Sequence, residues 1–208
     1  MGSRKIPRPE TALKAVGPIV PEVYRAFEHG TMKSKEYFQN ENLERDGHLE
    51  AMLVRLHARG HLKKHTDLSK VDFDQLAMCG ISFRFKRWQF RLWKSADPRS
   101  PKIPKPGNSA KKQQYFVQPL QLDLFVHKRQ IAAPKLHLII LWNLDIRGNL
   151  EKLWLVCPEN FNPENGAISV HWVAELPNPI DGSPSLGIPV IVPELPIKPK
   201  EIKKVKEA

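Results

Sequence analysis

Between Gly80 and Lys94 the chain reads GISFRFKRWQFRLWK. Apolar side chains fall at Ile81, Phe83 and Phe85, then shift phase by one and resume at Trp88, Phe90 and Leu92. Alternation of period two marks a strand with one buried face. The phase shift is what a two-residue turn at Lys86-Arg87 produces. Pairing across that turn sets Phe85 opposite Trp88, Phe83 opposite Phe90 and Ile81 opposite Leu92, with Ser82, Arg84, Gln89 and Arg91 on the other face. The segment is thus a hairpin, apolar beneath and cationic above. Lysine and arginine seldom take the positive φ that tight hairpin turns favour, so a bulge or a longer loop is the alternative connection. Trp93 departs from the pattern and falls on the Arg91 side.

Charge is concentrated around this hairpin. The 208-residue chain carries a formal +11, and residues 75–150 alone account for +11, with 14 basic and 3 acidic side chains. Residues 21–74 are net −1 and residues 151–208 net −2. A surface of that kind attracts a polyanion; a solvated face that aids solubility is the plainer account. With 41% hydrophobic residues, five Trp and nine Phe, the chain can bury a substantial core. Cys79 and Cys157 are too few for a disulfide framework and read as reduced core residues. No run reaches the length of a membrane span and the N-terminus has no apolar signal core, which points to a cytoplasmic protein without a membrane partner.

Ahead of the hairpin the periodicity is helical. Pro21 opens a short helix with Val23, Tyr24 and Phe27 inward and Gly30 as its stop. A second helix runs from Met32 to about Leu43 with Tyr37 and Phe38 inward. Asp46 caps a third, whose apolar positions Leu49, Met52, Leu53 and Leu56 follow the i, i+3, i+4, i+7 rule, and Gly60 ends it. A further short helix is expected between Phe73 and Met78.

Gly30, Met32, Tyr37-Phe38, Leu43, His48-Leu49, Leu53, Leu56, Arg59-Gly60 and Leu62 together resemble the winged helix-turn-helix family over residues 18–65. The resemblance implies a recognition helix opening at Asp46, with His48 and Glu50 placed to read bases. Three features depart from it, one being Asp46 and Glu50, two acids where phosphates would lie. The turn NENLERDG is long and acidic, and no wing hairpin follows directly. Winged-helix domains also serve as protein-interaction modules, so the resemblance alone does not establish DNA binding.

Beyond the hairpin, residues 95–114 are rich in Pro, Ser and Lys and read as a basic loop. Strands follow at Leu120–Val126, Leu136–Asp145, Leu150–Cys157 and Ala167–Leu176. Gly148 suits the left-handed position of a bulged turn, and the apolar character of both faces of 138–144 marks a central strand covered on both sides. Proline recurs from Pro177 to a lysine-rich end.

Three constellations bear on chemistry. His57, His61 and His65 have the i, i+4, i+8 spacing of ligands on one helix face, but a helix ending at Gly60 would separate them. Asp123, Asp145 and Glu151 lie at strand ends in the basic region, and clustered carboxylates could hold Mg²⁺ at a scissile phosphate. Their Glu-Lys adjacency differs from the Glu-x-Lys spacing of known nucleases. His137 or His171 with Ser169 lacks a nucleophile-elbow glycine pattern, and there is no phosphate loop or dinucleotide fingerprint.

The expected fold is α+β: a flexible basic arm (1–17), a three-helix winged-helix-like domain (18–75), a basic antiparallel β domain (76–176) and a Pro/Lys-rich tail (177–208). The expected function is binding of nucleic acid, duplex DNA foremost, with Arg84, Lys86, Arg87, Arg91, Lys94, Lys111 and Lys112 on phosphates and His48 and Glu50 on bases. A second copy of the chain is a candidate partner, and no cofactor is expected. The rivals are a metal-dependent nuclease or phosphodiesterase using Asp145 and Glu151, and a protein-interaction module.

Overall fold

The computed structural model describes residues 6–65, 71–74, 76, 79–97, 99–105, 113, 115–116, 136–162, 164 and 166–179. The architecture is α+β. Helices α1 (Pro9–Val16), α2 (Val20–Asn40) and α3 (Gly47–His65) precede strands β1 (Val71–Phe73), β2 (Ile81–Phe85), β3 (Trp88–Lys94), β4 (Leu136–Leu144), β5 (Leu150–Phe161) and β6 (Ile168–Glu175). The six strands form one sheet in chain order.

Where three helices were expected between Pro21 and Gly60, there are two. Helix α2 runs without interruption through Gly30, which is buried where α3 crosses. A Cβ at Gly30 would stand 2.5 Å from the Val54 carbonyl oxygen and 3.3 Å from the Ala58 amide nitrogen. Glycine here lets two helices approach; it does not end one. Gly60 is likewise interior to α3, which continues to His65. Asp46 is the N-cap expected of it, its Oδ1 accepting from the amides of His48 (3.0 Å) and Leu49 (2.6 Å).

The arm expected over residues 1–17 is ordered from Pro9. Pro9 suits the first helical turn, and Ala12 and Val16, four residues apart, are buried. The Trp172 indole donates to the Pro7 carbonyl at 2.8 Å, fixing this entry to β6. Phe73, expected to begin a short helix, instead ends β1. In VDFD, Val71 and Phe73 alternate with Asp72 and Asp74, and the strand pairs with β2. Cys79 is half-exposed at a positive φ of 55° in the approach to β2, so it is not a core residue.

The hairpin register is the one the alternation specifies: Ile81 with Leu92, Phe83 with Phe90, Phe85 with Trp88. The turn has two residues, and Lys86 takes the positive φ (54°) that such a turn requires. Every strand pair is antiparallel except β3–β4, which is parallel. A wholly antiparallel sheet was expected; a parallel neighbour needs the long connection that leaves β3 at Lys94 and enters β4 at Leu136.

Helices and sheet share one core. Val16, Tyr24, Phe27, Val54 and Leu62 pack with Phe83, Phe90, Leu138, Ile140, Trp142 and Leu155, so the boundary expected between residues 75 and 76 runs through common apolar contacts. Phe27 and Trp142 meet at 5.1 Å between ring centroids, and the Tyr24 hydroxyl donates to the Leu176 carbonyl at 2.8 Å. Burying a side chain such as Phe27 contributes about 2–3 kcal/mol. On the opposite face Ile139, Leu141, Trp154 and Val156 pack beneath Tyr115 and Phe116. Strand β4 is therefore apolar and covered on both sides, as its composition implies. In β6, Ile168 and Val170 join this second cluster, whereas Trp172 and Ala174 join the first. Register shifts between Cys157 and Asn160 on β5 account for the change of face. The strand expected at Leu120–Val126 and most of the tail lie outside the described residues. No described helix is long and apolar enough to cross a membrane.

Candidate nucleic-acid interface

The hairpin delivers its cations to two environments. At the tip, Lys86 and Arg87 are exposed and make no ion pair among the described residues. Their charged heads lie over aromatic neighbours, with Lys86 Nζ 5.2 Å from the Phe85 ring centroid and Arg87 Cζ 5.0 Å from that of Trp88. Lys94, at the far end of β3, is half-buried with its Nζ 6.0 Å from the Trp142 ring. Beyond it Arg99, Lys102 and Lys105 are exposed in the segment after β3. Lys111 and Lys112 lie outside the described residues.

On the upper face the charge is already matched. Arg84 donates to Asp72 at 2.9 Å and to Asp74 at 2.7 Å. Asp74 also accepts from the Ser82 hydroxyl (2.7 Å) and the Gln89 amide (3.0 Å). Burial opposes the charged form of Asp74, but the Ser82 hydroxyl, the Arg84 guanidinium and the Gln89 amide outweigh it and hold the carboxyl below its ordinary range. Arg91 is roofed by Tyr115, its Cζ 4.3 Å above the phenol ring. Burial lowers the Arg91 pKa. The Tyr115 hydroxyl reaches the carbonyls of Gln89 and Leu138, each at 2.7 Å, and burial raises its pKa well above the usual phenol value. His137 stacks on Tyr115 with centroids 4.4 Å apart and donates from Nδ1 to the Tyr115 carbonyl at 2.9 Å. Trp93 completes this layer against Tyr115 and Phe116, on the Arg91 side where the alternation puts it. Of the expected phosphate ligands, then, Arg84 and Arg91 belong to a packed polar layer, and Lys86 and Arg87 stand free.

The expected base readers separate. His48 is exposed in the first turn of α3. Glu50 is only 4% exposed and accepts from Arg45 at 2.7 Å. Arg45 also donates to the Ile146 carbonyl at 2.8 Å, so this pair fastens the start of α3 to the β4–β5 turn. The fit is close: at Gly148, with φ of 74°, an added Cβ would meet Arg45 Nη2 at 2.6 Å and Glu50 Oε1 at 2.8 Å. Glu50 cannot reach a base from this position.

The candidate catalytic carboxylates serve the same turn. Asp145 Oδ1 accepts from the amides of Arg147 and Asn149, both at 2.8 Å, and Oδ2 from the Asn149 side chain at 3.0 Å. Glu151 accepts from Asn143 at 2.8 Å. Asp123 lies outside the described residues. His171 faces Glu159 at 4.0 Å. The histidine row is better assembled than its glycine implied. Because α3 passes through Gly60, His57, His61 and His65 share a helix face, and His29 of α2 packs against them. Burial, followed by neighbouring histidines, lowers the pKa of His57 and His61. Among the described residues no group of three His, Cys, Asp or Glu side chains could hold a metal ion.

Asp74, Tyr115, Arg45 and His29 are absent from the residues that the sequence singles out. The alternation in VDFD could have flagged Asp72 and Asp74 as a strand edge facing Arg84; nothing local flags the other three. Comparison with known proteins finds no matching family model, no similar curated protein and no similar solved structure.

Proposed function

We propose that this chain binds nucleic acid, duplex DNA foremost, and acts in the cytoplasm as a binding protein of regulatory type. One observation carries the reading: Lys86 and Arg87 project from the hairpin tip with no acidic partner among the described residues, in a region of net charge +11. Cations resting on aromatic rings but not neutralised are suited to phosphate contact, which is sequence-independent and releases counterions. Arg99, Lys102 and Lys105 extend the same potential beyond β3. His48 is the one expected base reader left exposed at the start of α3. In this reading the tip supplies general affinity, and Arg84 and Arg91 hold the platform that presents it. The nuclease reading has less support, since Asp145 and Glu151 are both engaged by the β4–β5 connection.

Fluorescence anisotropy with a short labelled duplex, repeated over a range of salt, tests this. Each phosphate contact contributes about 0.9 to the log–log salt slope. Changing Lys86 and Arg87 together to Gln should therefore reduce the slope by about 2 and weaken binding to unrelated sequences alike. Absence of binding at low ionic strength, or a slope unchanged in the double variant, removes the proposal.

A further inference from the structure

The row of histidines on α3 and the single histidine opposite it on α2 form a group of their own. His29 and His61 have ring centroids 5.1 Å apart, His61 and His65 4.3 Å, and His29 and His57 6.5 Å, so His29 and His61 each meet two other rings. All four line an open cavity of about 240 Å³, together with Lys64. Among the described residues no ring nitrogen of the four is hydrogen-bonded, and no carboxylate lines the cavity. Two acids of α2 act on the rings from outside it, Glu22 on His61 and Glu36 on His57. Each is already paired on its own helix, Glu22 with Arg25 at 2.5 Å and Glu36 with Lys33 at 2.6 Å. Arg25 and Lys33 lie one turn to either side of His29 and act on the same two rings in the opposite sense.

The cavity thus gathers donors and positive charge with no acceptor on its own wall. An imidazolium donates from both ring nitrogens, and a tetrahedral oxyanion accepts at every oxygen, which gives hydrogen bonds of the strong, charge-assisted kind. A cleft lined by one sign of charge also concentrates ions of the other. Burial, then neighbouring positive charge, disfavours the charged forms of His57 and His61, and an anion among the rings opposes both effects. The volume falls below the roughly 300–1,000 Å³ of sites that enclose a whole small molecule, and suits a single anionic group. We propose that this cavity binds a small tetrahedral oxyanion, phosphate or the phosphate group of a monoester, through His29, His57, His61, His65 and Lys64, and that the anion enters with protons on the rings. The site draws on neither Lys86 nor Arg87, so its failure and the failure of DNA binding are separate results.

The test titrates the full chain, without an affinity tag, with sulfate in a chloride background of constant ionic strength, followed by histidine ring NMR. Sulfate keeps its charge over the range in which histidine titrates, so any pH dependence belongs to the protein. Saturable movement of the His29 and His61 resonances is expected, with those rings titrating at higher pH when sulfate is bound. Each proton taken up on binding strengthens it by up to about tenfold per pH unit, so affinity should rise at least about tenfold from about pH 7.5 to about pH 5.5. A hydrogen bond to a charged group contributes about 1.5–3 kcal/mol, so His29→Gln and His61→Gln should each weaken binding at the lower pH by about tenfold or more and flatten its pH dependence. His171→Gln, outside the group, should change neither. Ring shifts on the unsubstituted chain identify the ligands independently of whether a variant folds. Inorganic phosphate and a nucleoside monophosphate, compared under the same conditions, then separate the free ion from the ester as the tighter ligand. No saturable shift at about pH 5.5, shifts confined to other histidines, or an affinity independent of pH would overturn the site.

Discussion

Two alanine substitutions in glycines of opposite character test the helical layer. At Gly30 an added Cβ lies 2.5 Å from the Val54 carbonyl oxygen and 3.3 Å from the Ala58 nitrogen, both backbone atoms of α3. Backbone cannot swing aside as a side-chain tip can, so the two helices must separate. Overpacking of this kind costs about 1–3 kcal/mol or more, against the gain of about 1 kcal/mol in helix propensity from Gly to Ala. Gly30→Ala should therefore lose about 2 kcal/mol net. At Gly60 the same methyl meets nothing within 4 Å, and the residue is exposed inside α3. Gly60→Ala should gain up to about 1 kcal/mol. Urea unfolding followed by far-ultraviolet circular dichroism separates the two, with m unchanged in both. For a chain of this size the midpoints in a thermal scan should move down by about 4–8 °C and up by about 2–4 °C respectively. A Gly30→Ala chain as stable as the parent would refute the close crossing. A Gly60→Ala chain that loses stability would refute a helix running through to His65.

Lys86→Gly should stabilise the fold by about 1 kcal/mol, because the positive φ of 54° is strained for lysine and free for glycine; chemical denaturation measures it, and a loss would argue against that turn. Asp74→Asn should destabilise by about 2–3 kcal/mol, since it removes the charge that matches Arg84 in a half-buried setting; equal stability at neutral pH would show that the polar layer is not held by this carboxylate. Burial, with Arg91 adding to it and the Tyr115 carbonyl opposing, lowers the His137 pKa below 6.5, so the unfolded chain takes up this proton first. The stabilising contribution is present above pH 6.5 and is lost as pH falls through the lowered folded value. The stability difference between the parent and His137→Gln should shrink on acidification, and a difference independent of pH between 7 and 4 (about the range in which histidine titrates) would contradict the burial.

The parts of the fold legible in the sequence are those whose cause is local. Pairing in the β2–β3 hairpin follows from a period of two and a phase shift, and both are written in fifteen consecutive residues from Gly80 to Lys94. The cap at Asp46, the bulged turn at Gly148 and the doubly covered β4 follow in the same way. Glycine misled because its meaning is not local. Gly30 and Gly60 have the flanking pattern of helix stops, but what decides each is the other helix: Val54 and Ala58 need the space at Gly30, and the buried side chains of Ala58 and Leu62 carry α3 through Gly60. Apolar packing on either side outweighs the cost of about 1 kcal/mol for a glycine in a helix. The parallel β3–β4 pair was hidden for a related reason, since its partners are more than forty residues apart in sequence and no periodicity reports direction.

The same distinction governs the candidate site. A sequence gives the number of charges in a segment and not their partners, and on this hairpin the partners decide the roles. Arg84 and Arg91 alternate with buried aromatics as an exposed cationic face would, yet β1 and the residue after it supply Asp72 and Asp74 to one, and Tyr115, twenty-four residues further along the chain, roofs the other. A guanidinium held by two carboxylates has little attraction left for phosphate, because displacing those partners would leave charges unpaired in a half-buried layer. Lys86 and Arg87 escape this because a two-residue turn has no cross-strand neighbour to neutralise it. The positions least constrained by the fold are thus the ones free to act on a ligand, and polyanion affinity should follow the turn and not the strands that carry it.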